Sequence, residues 1–195
     1  MFCRVSQQLT QFLVDNNTIK DEDREIYRYG IQQGLTIVLN LVTTLLIGLV
    51  CDMIWQSIVF TAAYIPLRSF AGGYHAKTPT KCYIFSIVLM LAVLLAMKLV
   101  PFTVFICSIM LSVSGVIILL LAPVEDHNKP LDKAEQKVYR KRSLLIWIFE
   151  LAITVICLWR QIMPLAICLT TTLTVMAVML LLGQLKNVAS SSCVK

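Results

Sequence analysis

Charge is what this chain has least of. Only 14% of its 195 residues are Asp, Glu, Lys or Arg, while 58% are hydrophobic. Soluble domains carry roughly 25% charged and 45–50% apolar residues. So few ionic groups cannot coat a water-soluble surface, and a mean hydropathy of +0.79 argues equally against a disordered chain. Paired cysteine spacing is missing as well. The seven cysteines are an odd number with no two set as a pair, which excludes a disulfide framework. Cys107, Cys157 and Cys168 lie inside apolar runs, where a thiol behaves as a small buried hydrophobe. Cys3 and Cys193 lie near the ends, and Cys51 at the edge of a run. Histidine is scarce, with two in the chain. A loop offering one His and one Cys leaves two of four tetrahedral metal ligands unfilled, so no metal or organic cofactor is expected. The first residues lack the apolar core of a cleavable signal peptide, and none is expected.

What the chain does have is uninterrupted apolar sequence. Six runs fall at residues 35–50, 54–67, 83–100, 102–122, 144–159 and 163–185. A span needs about 20 residues, so the expected architecture is an all-α polytopic membrane protein with six transmembrane helices. The second run is short for a hydrocarbon core of about 30 Å and must recruit flanking residues or thin the bilayer. Residues 1–34 form an amphipathic N-terminal segment. Val5, Leu9, Phe12 and Leu13 make one helical stripe, and Asp21-Glu22-Asp23 suits a helix start. That segment reads either as a solvated leader or as a helix lying in the membrane interface. Residues 35–185 are then the six-span domain and 186–195 a tail. Long polar loops at 68–82 and 123–143 alternate with short turns at Cys51-Asp52-Met53, Pro101 and residues 160–162.

The net charge of +6 is distributed by side. With the N-terminus inside, all but Lys98 and Arg160 of the 17 Lys and Arg residues fall on one face of the membrane. The positive-inside rule therefore puts both termini and both long loops in the cytoplasm of a multi-pass cell-membrane protein. The basic residues face anionic lipid rather than nucleic acid.

Chemistry concentrates in the first long loop, Arg68-Ser-Phe-Ala-Gly-Gly-Tyr-His-Ala-Lys-Thr-Pro-Thr-Lys-Cys82. A thiol with a nearby imidazole is the minimal cysteine-hydrolase pair: His75 takes the proton and Cys82 attacks. Lys77, Lys81 and a helix N-terminus near Cys82 would favour the thiolate. On one straight helix, residues seven apart are separated by about 10.5 Å of rise, so the pair works only if the segment folds back. Gly72-Gly73 and Pro79 permit that. The competing reading is that one His and one Cys share a loop by chance. Glu150, inside the fifth run, is costly there and a functional candidate by default. It could pair with Arg68, orient His75 as a third catalytic member, or be a structural residue. His127 reads as part of a solvated, Pro-bounded turn. The basic run Lys137–Arg142 reads as an orientation anchor. Trp55, Trp147 and Trp159 read as interfacial anchors.

Arg68, Ala71-Gly72-Gly73-Tyr74-His75-Ala76 and Cys82 together resemble the hallmark of the accessory gene regulator B family. Residues 122–131, Ala-Pro-Val-Glu-Asp-His-Asn-Lys-Pro-Leu, are similar to that family's loop between its fourth and fifth spans. The resemblance extends over nearly the whole chain. It implies an integral-membrane cysteine endopeptidase of quorum sensing that removes the C-terminal tail of a short signal-peptide precursor. It further implies that Cys82 forms a thioester with the peptide, which an internal Cys or Ser then attacks to close a thiolactone or lactone. By the same resemblance His75 is the general base, and Arg68, Gly72 and Gly73 are motif positions supporting the site. A homodimer is also implied, with the precursor and membrane lipid as partners and no nucleic acid, and an acidic precursor segment docking on Lys137–Arg142 becomes the second reading of that run. The competing functions are a peptide exporter, against which stands the absence of any visible inverted repeat with broken helices, and a non-catalytic membrane scaffold.

Overall fold

The computed structural model describes residues 3–16, 18–74, 78–125 and 132–192. Seven α-helices follow in order among them: α1 (Cys3–Asp15), α2 (Arg24–Val50), α3 (Ile54–Ala71), α4 (Pro79–Leu99), α5 (Val104–Leu121), α6 (Lys133–Trp159) and α7 (Met163–Ser192). A short 3-10 turn, Asp21–Asp23, precedes α2. The fold is all-α, as the composition requires. Helices α2, α4, α5, α6 and α7 are long and apolar enough to cross a membrane. The second expected span, α3, does not reach that standard. It has 18 residues and carries Gln56, Ser57 and Arg68 among its apolar ones. It meets this shortfall by packing against protein, lying between α2, α6 and α7.

Helix α7 is the centre of the bundle. Ala166, Cys168, Thr170, Thr172, Leu173, Met176, Ala177 and Leu180 are buried along it, and it packs on α3, α5 and α6. Leu67, Cys107, Ile118, Trp147 and Cys157 close on it from the other helices. Helix α2 is peripheral. Only Gly48 of it is buried, while Val38, Leu46 and Val50 stand exposed, the composition of a lipid-facing surface. Close approach replaces hydrophobic force in such a bundle. At the α2–α3 contact a Cβ on Gly48 would sit 2.9 Å from that of Ser57, and at α5–α6 a Cβ on Gly115 would press Trp147 at 3.2 Å.

The expected short turns are present. After α2, Asp52 takes a φ of +56°, with Met53 N–H donating to Gly48 O at 2.7 Å and Asp52 N–H to Leu49 O. After α6, Gln161 takes +60°, with Ile162 N–H donating to Cys157 O at 2.8 Å. Both are Schellman closures, which satisfy the last carbonyls and reverse the chain in three residues.

The loops are shorter than their polar residues suggest, because the helices do not stop at the edge of the hydrocarbon. Helix α3 continues through Arg68 to Ala71, and α4 begins at Pro79 behind Thr78, whose Oγ1 accepts from Lys81 N–H at 3.3 Å. Helix α6 begins at Lys133 with a capping box between Asp132 and Glu135. At 27 residues it is about 40 Å long, so its basic N-terminal turns project beyond the apolar layer. Helix α2 likewise runs unbroken from Arg24, and α7 continues to Ser192. Helix α1 packs on α2 with Ser6 and Thr10 buried, leaving Val5, Leu9 and Phe12 exposed.

Candidate active site

The chain leaves α3 through two glycines in conformations that side-chain-bearing residues rarely adopt. Gly72 has φ +72° and ψ −140°, and Gly73 has φ +114°. This turn is pinned on three sides. Gly72 forms a parallel bridge with Val124, in which Val124 N–H donates to Ala71 O at 2.9 Å and Gly73 N–H to Val124 O at 3.3 Å. The Arg68 guanidinium reaches forward from the last turn of α3, donating through Nη1 to Gly72 O and through Nη2 to Tyr74 O. Tyr74 N–H donates to Met179 O of α7 at 2.9 Å. A Cβ on Gly72 would collide with Val124 O, and one on Gly73 with Arg68 Nη1.

The second loop is held by the same framework. Asn187, near the end of α7, donates to Glu125 O at 2.8 Å, and Gln136 of α6 donates to Glu125 Oε1 at 2.8 Å. Aromatic contacts complete this end of the bundle. The Tyr74 ring packs against Phe85 of α4 at 5.4 Å and Phe70 meets Tyr139 edge-on at 5.8 Å. Arg142 lies over Phe70 and Lys186 over Tyr74.

A cavity of about 520 Å³ opens between α2, α3 and α4 and reaches the Val124 loop. Its walls are mainly apolar, with Ile37, Leu41, Phe60, Phe85 and Leu89 among them. At one edge stand Arg68, Gly72, Tyr74 and Cys82. Cys82 is half-buried in the first turn of α4, its N–H donating to Thr78 O at 3.0 Å. Tyr64 of α3 also lines the cavity and lies within electrostatic reach of both Arg68 and Cys82. As far as Tyr74 the segment turns back against α4, and the remainder of the fold-back the sequence requires, through His75, lies outside the described residues. The residue before His75 touches α4 one turn beyond Cys82.

The candidate residues therefore fall into groups. Arg68, Gly72 and Cys82 meet at the cavity, with Gly73 in contact with Arg68. Glu150 does not line it. It is buried in α6, and its Oε2 has no hydrogen-bond partner among the described residues. His75, Lys77 and His127 lie outside the described residues. Among those described, no three His, Cys, Asp or Glu side chains gather as a metal site.

Comparison with known proteins now decides the family. The family profile described as accessory gene regulator B matches residues 6–188. The chain belongs to the accessory gene regulator B family. An AgrB-like protein 2 of Clostridium perfringens strain 13 is 22% identical over 167 residues, covering 80% of this chain and 78% of that protein. An AgrB-like protein of Clostridium perfringens strain SM101 is 25% identical over 152 residues, 74% of this chain and 71% of that one. No solved structure matches the chain at a significant level. Membership in the accessory gene regulator B family places this membrane protein in the processing of quorum-sensing peptides.

Several residues of the site escape a reading of sequence alone. Val124, Met179 and Gly183 meet the Gly72–Tyr74 segment, and Asn187 holds the adjoining loop at Glu125 O. Val124 leaves a trace only as a member of the 122–131 run, and Gly183 only as the lone glycine of the last apolar run.

Proposed function

We propose that this family member is a membrane cysteine endopeptidase that removes the C-terminal tail of a signal-peptide precursor, with Cys82 as nucleophile and His75 as general base. The observation that carries this reading is the position of Cys82. It stands half-buried at the edge of a largely apolar cavity beside Arg68, while Tyr74, the residue before His75, packs on Phe85 of the same helix. His75 takes the Cys82 proton, and the thiolate attacks the scissile carbonyl. The C–N bond breaks, the tail leaves as an amine bearing that proton, and the rest of the peptide stays as a thioester on Cys82. An internal Cys or Ser of the peptide then attacks the thioester and gives its proton to His75. Ring closure releases Cys82 for the next cycle.

The cavity favours this sequence because its apolar walls keep water from the thioester, and exchange of one thioester for another costs little free energy. Arg68 spends its guanidinium on the Gly72 and Tyr74 carbonyls, so its main role is to hold the loop, beyond any contact with an acidic precursor. Both termini and this end of the bundle face the cytoplasm, in accord with the basic residues of α3, α6 and α7 that converge there.

Co-expression with candidate precursor peptides tests the reading. Wild type releases a shortened peptide, whereas Cys82→Ala and His75→Ala lower release by at least about 100-fold, the scale of general-base and nucleophilic contributions. Cleavage that persists without Cys82 overturns the mechanism. Peptide export that survives Cys82→Ser favours a transporter instead.

A further inference from the structure

We infer that Gly183 of α7 is a positioning residue for the Cys82–His75 pair: its bare backbone is the dock on which the segment leading into His75 rests. The inference rests on the peptidase reading above and adds a residue to it.

The dock is a contact of backbone with backbone. Tyr74 N–H donates to Met179 O at 2.9 Å, a carbonyl one helical turn before Gly183 whose second lone pair suits it to a further donor. That bond requires the Gly73–Tyr74 peptide to lie flat on α7. A Cβ on Gly183 would stand 2.7 Å from Gly73 C, 2.9 Å from Tyr74 N and 3.0 Å from Gly73 Cα. None of these atoms is the tip of a flexible side chain, so the clash cannot be relieved by a rotamer change. The opposing face is equally bare, since a Cβ on Gly73 would meet Met179 O at 2.9 Å. Two glycines face each other, one on the central helix and one in the motif loop.

The segment cannot yield elsewhere at low cost. Arg68 holds the carbonyls of Gly72 and Tyr74, and Val124 holds the amide of Gly73. Only residues 75–77 separate Tyr74 from Thr78, the cap of the helix that bears Cys82. Tyr74 is bonded to His75, so a displaced Tyr74 peptide moves the point from which His75 is carried. Misplacement of a reacting group by about 1 Å can cost 100-fold in rate.

The test uses the full chain in lipid nanodiscs and iodoacetamide as the probe, at one neutral pH. Alkylation of Cys82 is followed by mass spectrometry of its own peptide in wild type, Gly183→Ala, His75→Ala and the double variant. Hydrogen exchange of the peptide covering Gly73 and Tyr74 is measured beside it. Gly183→Ala is expected to speed that exchange and slow alkylation by roughly tenfold or more, with the double variant no slower than His75→Ala alone. Asn187→Ala removes the hold on Glu125 O without adding bulk, and should move both readouts the same way by less. It replaces Gly183→Ala if that variant does not fold. Alkylation within about twofold of wild type, or losses that multiply in the double variant, overturns the positioning role. If His75→Ala alone leaves the rate unchanged, the Cys82–His75 pair itself falls and the positioning role falls with it. Exchange then still reports whether the dock exists.

Discussion

At the scale of single residues, the site depends on groups that cannot be exchanged for near relatives. Arg68 addresses two carbonyls at once, which suits a planar guanidinium and not a lysine ammonium. Losing one charge-assisted hydrogen bond of about 1.5–3 kcal/mol should make Arg68→Lys cut at least about tenfold more slowly, measured per unit of protein in the membrane. Glu150→Gln is the contrasting case. Its side chain lies off the cavity, so cleavage should stay within about twofold of wild type, and a loss as deep as that of His75→Ala would restore it as a catalytic partner. Cys82, Arg68 and the glycine pair are legible in the sequence because each is chemically unusual where it stands. Their partners are not. Val124 and Met179 contribute backbone atoms, and nothing in a side chain's identity reports what its carbonyl accepts.

Elements are legible to the degree that their apolar length is. The six runs became α2 to α7, and both three-residue turns close where the sequence breaks. Helix ends are less legible, since hydropathy reports the edge of the hydrocarbon, while hydrogen bonding carries α3 on to Ala71 and starts α6 at Lys133. The status of α3 was half legible: the run is visibly short, but which remedy meets the shortfall is not written in it. A helix with Gln56 and Arg68 is a poor span by composition, and only its neighbours make it part of the bundle. Its contact with α2 relies on Gly48, packed on Ser57. Gly48→Val should force these helices apart at a cost of about 1–3 kcal/mol, read as a lower unfolding midpoint in detergent. An unchanged midpoint would mean that α2 is held elsewhere.

The whole molecule gathers one set of helix ends around the site: the end of α3, the starts of α4 and α6, and the end of α7. Lys98 and Arg160 belong to the opposite ends. With cytoplasmic termini, cysteines introduced at Lys98 and Gln161 should react with a membrane-impermeant maleimide on intact cells, while one at Gln136 should react only after lysis. The reverse pattern would invert the protein. No sequence pattern announces the cavity, because its walls come from α2, α3 and α4 with Tyr139 of α6, Met179 of α7 and the Val124 loop, whose mutual placement is set by packing. Its chemical edge is the part that matters most, and intact mass spectrometry addresses it directly. The chain is co-expressed with candidate precursors, quenched in acid and weighed. If Cys82 carries the peptide, wild type gains the mass of a truncated precursor, labile to hydroxylamine, and Cys82→Ala does not. The same adduct on Cys82→Ala, or a cyclic product released with no dependence on Cys82, would contradict the thioester route.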